Sequence, residues 1–188
     1  MHSDWMNMAV TARLGVGQLP DGGGDTEAAL TPVEARQLAA ALLRQAAAAE
    51  YPDGDAGAGQ IVASYVGGET YAISTRGHAV LTDQPATAGG DDAAMTPVEL
   101  FVGALCSCAA FYAGRYLDRH NLDRDALHVT AEFAMATDRP ARVHGVTLKI
   151  RVPGGIPPAG HAALLAVVSH CTVHNTLQQA PDIAIELT

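Results

Sequence analysis

Two long segments of the chain place apolar residues at helical spacing, and both open with the same four residues. Thr-Pro-Val-Glu stands at 31–34 and again at 96–99. A threonine followed by proline, with glutamate three positions after the threonine, is typical of a capping box at the start of a helix. The sequence therefore predicts helices over about 31–50 and about 97–120.

The second predicted helix is apolar on all of its faces. The run from Leu100 to Gly114 carries no charge and is closed by Glu99 and Arg115. A bilayer span needs about 20 such residues, so the run predicts a buried helix and no membrane association. A helix of this kind must be covered on every side, which a small domain does poorly. We therefore expect a homodimer built around it.

Alternating patterns and turn residues predict several short strands around this helix. The predicted strands cover 60–66, 69–75, 78–82, 127–136, 143–152 and 182–188, and two shorter helices cover 161–170 and 171–180. Strands joined by tight turns around one long helix indicate an α+β fold with antiparallel sheets. Composition changes near residue 57, so residues 1–57 are interpreted as a strand–helix extension with a linker, and 58–188 as the main domain.

Composition and charge narrow the class of protein. The chain has 188 residues, 48% of them hydrophobic, and a formal net charge of -9. An acidic protein repels phosphate backbones, so nucleic acid is not an expected partner. The N-terminus lacks the pattern of a secretory signal. The three cysteines therefore indicate a cytoplasmic protein with reduced thiols rather than a disulfide scaffold.

Two of these cysteines lie on the apolar helix and face different ways. Cys106 and Cys108 are separated by about 200° around the helix axis. Cys108 shares its face with Phe101, Tyr112 and Arg115. Arg115 lies about 10.8 Å along the axis, too far to activate the thiol directly. Two interpretations stay open: both cysteines are small core residues, or Cys108 is a reactive thiol.

The third cysteine precedes a predicted short helix. A sulfur near a helix N-terminus is favoured as thiolate, so Cys171 is the second candidate for redox chemistry. His170 and His174 flank it, and a surface role for both is favoured. A zinc site formed by Cys106, Cys108, Cys171 and His174 is a weaker interpretation, because thiols two positions apart on a helix diverge and no second ligand pair is present. No metal is expected.

Three stretches of the sequence resemble the OsmC/Ohr family. The segment TPVELFVGALCSCAAFYA is similar to the central helix of that family, and HCTVHNTL is similar to its second-cysteine segment. RGHAVLTDQPATAGGDD resembles the strand and long loop before the helix. The resemblance covers about residues 60–188 and leaves the first 57 residues outside it. It implies an OsmC-like fold in an intertwined homodimer.

The same resemblance implies thiol-dependent reduction of small organic hydroperoxides. Cys108 corresponds to the peroxidatic cysteine and Cys171 to the resolving one, while Cys106 takes a variable position and is expected to be structural. An Arg and a Glu help to activate the first thiol in such proteins, and Arg76 and Glu99 are the candidates here. Glu99 also has a purely structural interpretation, as the third residue of the capping box.

The apolar face beside Cys108 is suited to an organic peroxide rather than to hydrogen peroxide. Phe101, Leu105 and Tyr112 are predicted to enclose an alkyl tail. No bound cofactor is expected, because an external thiol or lipoyl-type dithiol would supply the electrons. An alternative function is a non-catalytic dimer of the same fold that binds a small apolar ligand.

Overall fold

A computed structural model describes residues 10–14, 26–50, 59–125, 127–152 and 154–188. The chain divides into two compact units, 1–94 and 95–188. The boundary predicted at 57/58 lies among residues outside the described ranges, as does most of the predicted linker. The strands predicted between 60 and 82 belong to the first of the two units.

In its described residues, the N-terminal unit (1–94) combines a hairpin, a helix and a three-stranded antiparallel sheet. Strands β1 and β2 pair with each other, and β3, β4 and β5 pair in that order. Its elements are β1 (Val10–Leu14), β2 (Thr26–Leu30), α1 (Pro32–Glu50), β3 (Val62–Gly67), β4 (Thr70–Thr75), β5 (His78–Thr82) and a 3-10 turn (Ala86–Ala88). The sequence missed β2, but the predicted helix and the three later strands are confirmed.

A buried carboxylate organises the loop that follows β5. Asp83 is fully buried, and its Oδ2 accepts hydrogen bonds from the backbone N–H groups of Asp91 at 3.1 Å and Ala93 at 3.0 Å. The bond from Ala93 is the main cause that lowers the pKa of this carboxyl. A side chain at Gly90 would place its Cβ 2.0 Å from the carbonyl oxygen of Gln84. The loop therefore closes only because residue 90 has no side chain.

The C-terminal unit, residues 95–188, places one β-hairpin and two shorter helices against a long helix. Strands β6 and β7 are antiparallel, from His128 opposite Arg151 to Met135 opposite Val143. Its elements are α2 (Pro97–Arg119), β6 (His128–Met135), β7 (Val143–Arg151), α3 (Pro158–Ser169) and α4 (Thr172–Gln178). These two strands and three helices confirm the elements predicted between residues 97 and 180. The antiparallel sheets and long helix also confirm the α+β class.

The core of this unit lies between α2 and α3. The buried residues that pack together there are Ala109, Ala113, Tyr116, Leu117, Leu164 and Val168. The Tyr116 hydroxyl donates to the Gly160 carbonyl at 3.2 Å. A Cβ at Gly160 would lie 2.8 Å from that hydroxyl and 2.9 Å from Cγ2 of Ile156, so a side chain at this position would have to displace one or both of these groups.

Helix α2 is long and apolar enough to cross a membrane by length and composition alone. In the described structure Ala109, Ala113 and Leu117 have no exposed surface and belong to the core of the unit. Other apolar side chains of the same helix stay uncovered, and Phe101 is 44% exposed. Within one protomer, therefore, α2 still has apolar surface without cover, which is the reason for predicting a homodimer.

The last predicted strand is wrong for the single protomer. Residues 181–188 form no strand or helix. Ile183, Ile185 and Leu187 alternate along this segment and are 83%, 95% and 103% exposed. The period-2 pattern is that of a strand with one apolar face, but the described part of the protomer provides no neighbouring strand to pair with it.

Candidate active site

Two of the three cysteines meet where α2 passes the start of α4. Cys108 lies in the middle of α2, and Cys171 is the residue immediately before α4. The Cys108 thiol lies near enough to Cys171 to contribute to the raised pKa of the Cys171 thiol. All three cysteines are free thiols in the structure. The site therefore holds two reduced sulfurs that are 63 positions apart in the sequence and adjacent in the fold.

Cys106 points away from this pair, as its position on the helix predicts. Its Sγ donates a hydrogen bond to the backbone carbonyl of Val129 on β6 at 3.3 Å. Cys106 thus acts as a half-buried contact between α2 and β6.

Cys171 caps the helix that it precedes. Its backbone is extended, and its Sγ accepts a hydrogen bond from the backbone N–H of His174 at 3.3 Å. The side chain has no exposed surface. Burial raises the pKa of the Cys171 thiol, the His174 N–H opposes that effect, and the neighbouring Cys108 adds to it. The expected helix start at Cys171 is confirmed, but burial outweighs the stabilisation of thiolate that the sequence predicts there.

The two thiols are unequal in exposure. Cys108 is half-buried, whereas Cys171 is buried. A thiol that attacks a substrate must be reachable and must ionise. Cys108 meets the first condition, and Cys171 meets neither in its resting state. Cys108 is therefore the sulfur that a substrate can reach, and Cys171 is the sulfur that is protected from it.

Glu99 is engaged at the start of α2. Its carboxylate accepts from the backbone N–H of Thr96 at 2.8 Å and from the Thr96 hydroxyl at 2.9 Å. The Glu99 N–H donates in return to the Thr96 hydroxyl at 3.2 Å. These bonds, the backbone one first, lower the pKa of the Glu99 carboxyl. The capping interpretation of Glu99 is confirmed, while its role toward a thiol stays a prediction.

Arg76 belongs to the N-terminal unit, in the turn between β4 and β5. Its φ is 49° and that of Gly77 is 69°, the two positive angles of a type I′ hairpin turn. A non-glycine residue rarely adopts such a φ, so the backbone of Arg76 is held in an uncommon conformation. The guanidinium is exposed. Its role in activating Cys108 stays a prediction.

The three predicted pocket residues occupy different surroundings. Leu105 lines an apolar cavity of about 460 Å³ that also reaches Cys171 and His174. Tyr112 lines a second groove, and its hydroxyl lies 3.4 Å from that of Thr172. Phe101 projects from α2 with 44% of its surface exposed.

The flanking histidines are tied to backbone carbonyls. Nδ1 of His170 lies 2.6 Å from the carbonyl oxygen of Ala166, and Nδ1 of His174 lies 2.6 Å from that of Ser169. A carbonyl only accepts, so both Nδ1 atoms carry protons. Within the described residues, no three His, Cys, Asp or Glu side chains are grouped to hold a metal ion.

Sequence reasoning missed the second groove. It lies between α2 and α3 and has a volume of about 510 Å³. Its lining residues are Phe111, Tyr112, Arg115, Arg119, Ala166, Val167 and His170. The signal available in the sequence was a pair of arginines four residues apart on the face of Cys108. Arg119 has an equally good structural explanation, since a cation in the last turn of a helix is favoured by the helix dipole.

Three features define the class of this molecule: an α+β fold, a free thiol on the long helix, and a second free thiol at the cap of a short helix. The OsmC-like protein model matches residues 89–186, and the chain belongs to that family. This confirms the family predicted from the cysteine segments. No curated protein matches the chain.

Solved structures show the same fold at low sequence identity. A protein from Psychrobacter arcticus, provisionally assigned to the osmotic stress and detoxification response, is 20% identical over 62% of this chain and 85% of its own, with a TM-score of 0.57. An OsmC-like protein from Mycoplasma pneumoniae is 16% identical over 64% and 87%, with a TM-score of 0.53. An organic hydroperoxide resistance protein from Elizabethkingia anophelis, solved with thiocyanate, is 17% identical over 64% and 89%, with a TM-score of 0.50.

Proposed function

We propose that this protein is a thiol peroxidase that reduces organic hydroperoxides through Cys108 and Cys171. The observation that carries the proposal is the meeting of a reachable thiol on α2 with a buried thiol at the cap of α4. Family membership supports the same reaction class, and one structural relative is an organic hydroperoxide resistance protein.

The chemistry assigns each thiol one step. The Cys108 thiolate attacks the terminal oxygen of the hydroperoxide, the O–O bond breaks, and the alkoxide leaves as an alcohol after taking up a proton. Cys108 is then a sulfenic acid. The Cys171 sulfur attacks it, its proton goes to the departing hydroxyl as water, and a disulfide forms. An external dithiol, of thiol or lipoyl type, returns both cysteines to thiols by exchange and is itself oxidised.

The order of the two steps follows from exposure. A resolving cysteine must survive the peroxide until the first cysteine has reacted. Cys171 is buried and its pKa is raised by that burial, so it rests as an unreactive thiol. The apolar cavity of about 460 Å³ beside it suits the alkyl part of an organic peroxide.

The working form that we propose is an intertwined homodimer in the cytoplasm. Phe101 on α2 and Leu165 on α3 are 44% and 62% exposed, and the apolar side of 182–188 lacks a paired strand. A second copy that covers these faces would form an obligate interface of well over about 2,000 Å². Analytical ultracentrifugation at micromolar concentration should give the dimer mass, and a stable monomer would contradict this assembly.

The reaction is tested by counting thiols before and after one equivalent of cumene hydroperoxide. We expect three thiols to fall to one, and peptide mapping to find Cys108 linked to Cys171. Cys108→Ser should lose turnover. Cys171→Ser should react once and then stall, with Cys108 passing to sulfinic acid as peroxide is added. Cys106→Ala is the matched control on the same helix, and it should keep its activity.

Two results would contradict the proposal. A disulfide between Cys106 and Cys171 would show that Cys106, and not Cys108, is the peroxidatic residue. Three intact thiols after excess hydroperoxide would show that the protein is not a peroxidase. The alternative function would then be the one that the apolar cavity also supports, binding of a small apolar ligand by the same fold.

A further inference from the structure

The Cys171 sulfur has a hydrogen-bond donor fixed beside it, the backbone N–H of His174 at 3.3 Å. The backbone bonds of α4 begin one residue later, from the Asn175 N–H to the Cys171 carbonyl at 2.9 Å. The helix itself therefore does not use the His174 N–H, and the sulfur is the acceptor for it. Because a charged acceptor strengthens a hydrogen bond, this donor binds a thiolate more strongly than a neutral sulfur.

Two side chains hold this donor in place. Nδ1 of His174 donates to the Ser169 carbonyl at 2.6 Å, and the side-chain amide of Asn175 donates to the His170 carbonyl at 3.2 Å. Both carbonyls lie at the end of α3. The start of α4 is thus attached to α3 by bonds that do not involve the sulfur. We therefore expect the His174 N–H to stay in position when the sulfur changes its bonding.

Access to the two sulfurs decides where a disulfide between them can be opened. Cys171 is 0% exposed, whereas Cys108 is half-buried. Thiol–disulfide exchange depends on access to the sulfur that is attacked and on how well the other sulfur leaves as a thiolate. Access directs an external thiol to Cys108, so Cys171 must be the leaving group. Burial raises the pKa of the Cys171 thiol and makes it a poor leaving group, but the His174 N–H opposes this effect.

We propose that the reducing thiol attacks Cys108, and that Cys171 leaves as a thiolate stabilised by the His174 N–H. A bond forms between the reductant sulfur and Cys108, the bond between the two protein sulfurs breaks, and its electron pair goes to Cys171, which then takes up a proton. The second thiol of the dithiol attacks the reductant's own sulfur in this mixed disulfide, so Cys108 leaves as a thiolate and the reductant departs as a cyclic disulfide. The inference rests on the proposed function for the disulfide and adds the sulfur at which it is opened.

The attacked sulfur is identified from the mixed disulfide that a monothiol forms. The Cys106→Ala protein, which has no third thiol to exchange, is oxidised with diamide, a reagent that links neighbouring thiols without peroxide. 2-Mercaptoethanol is added, and acid stops the reaction before about a tenth of the disulfide has opened. Peptide mapping should find the adduct on Cys108 and the free thiol on Cys171, with a preference of about tenfold or more. An adduct mainly on Cys171, or divided equally, would overturn the inference.

Two substitutions at residue 174 test the role of the N–H. His174→Pro and His174→Ala both remove the imidazole, but only proline also removes the N–H, and the first turn of a helix tolerates proline. Dithiothreitol should reduce oxidised His174→Pro about fivefold or more slowly than oxidised His174→Ala, because the leaving thiolate has lost its donor. If proline only loosened α4, Cys171 would become accessible and reduction would be faster. Equal rates, or a faster proline variant, would therefore overturn the role of the N–H.

The outcomes separate this inference from the proposed function. If the diamide-linked protein opens at Cys108 but cumene hydroperoxide leaves the thiols intact, the peroxidase is wrong and the direction of opening stands. If hydroperoxide forms the disulfide but the mercaptoethanol adduct is on Cys171, the peroxidase stands and this inference is wrong. If neither reagent links Cys108 to Cys171, both proposals are wrong.

Discussion

Cys171 has two roles in our interpretation, and a pair of substitutions separates them. As a resolving thiol it must have sulfur, whereas as a helix cap it needs only an acceptor for the His174 N–H. Serine supplies that acceptor and alanine does not. We therefore expect Cys171→Ser and Cys171→Ala to be equal in redox behaviour and unequal in stability.

The expected difference can be sized from the contact. Serine is among the preferred N-cap residues, and its replacement by alanine typically costs about 1 kcal/mol. Both substitutions remove a sulfur that is 0% exposed, so the loss of its burial is common to both and cancels in the comparison. The free energy of unfolding of Cys171→Ala should thus be about 1 kcal/mol lower than that of Cys171→Ser. If the 94-residue unit melts cooperatively, this corresponds to a Tm that is roughly 4–8 °C lower.

The assay is urea denaturation of both reduced variants beside the wild-type protein, followed by thiol counting after peroxide. Equal midpoints, or a more stable alanine variant, would refute the capping role of the sulfur. A disulfide to Cys108 is impossible in both, so they should stall after one oxidation to the same extent. Continued cycling by either variant would show that Cys171 is not the resolving residue.

Two further predictions concern the start of α2 and two glycines. Glu99→Gln should keep turnover within about twofold, because glutamine also completes a capping box. Thr96→Ala should lower the free energy of unfolding in urea by about 1 kcal/mol. A Glu99→Gln variant that is folded but inactive would instead show that the carboxylate takes part in the chemistry. Gly114→Ala should stabilise by about 0.5–1 kcal/mol, since its Cβ would meet its nearest neighbours at 3.6–3.8 Å within a helix. Gly90→Ala should destabilise by about 1–3 kcal/mol, because its Cβ would lie 2.0 Å from a backbone carbonyl, and the reverse order in thermal melts would contradict both assignments.

The helix starts were predictable because capping is local. The information that forms the box at Thr96 lies within four consecutive residues, and the structure contains each of its bonds. The same holds at Thr31 and Glu34, whose side chains make the equivalent bonds at the start of α1. The opposite orientations of Cys106 and Cys108 also follow from helical periodicity alone.

The features that escaped sequence reasoning depend on distant partners. Strand β2, Thr26–Leu30, forms because β1 pairs with it, and its own residues carry little strand pattern. Residues 182–188 have that pattern but no strand beside them in the described protomer. The meeting of Cys108 with Cys171 is a tertiary event across 63 residues, and only the resemblance to a family pointed to it. The second groove of the active-site region needs α3 as its other wall, which no motif on α2 predicts.

The position of Cys171 links the local structure to the proposed chemistry. A cap residue is fixed by the backbone of the helix that it starts, so the sulfur is held in place without exposure to solvent. Burial raises the pKa of this thiol and keeps its proton on the sulfur while Cys108 is reduced. When Cys108 becomes a sulfenic acid, the departing hydroxyl accepts that proton as the disulfide forms. A thiol that is inert toward peroxide can therefore react with the oxidised neighbour beside it.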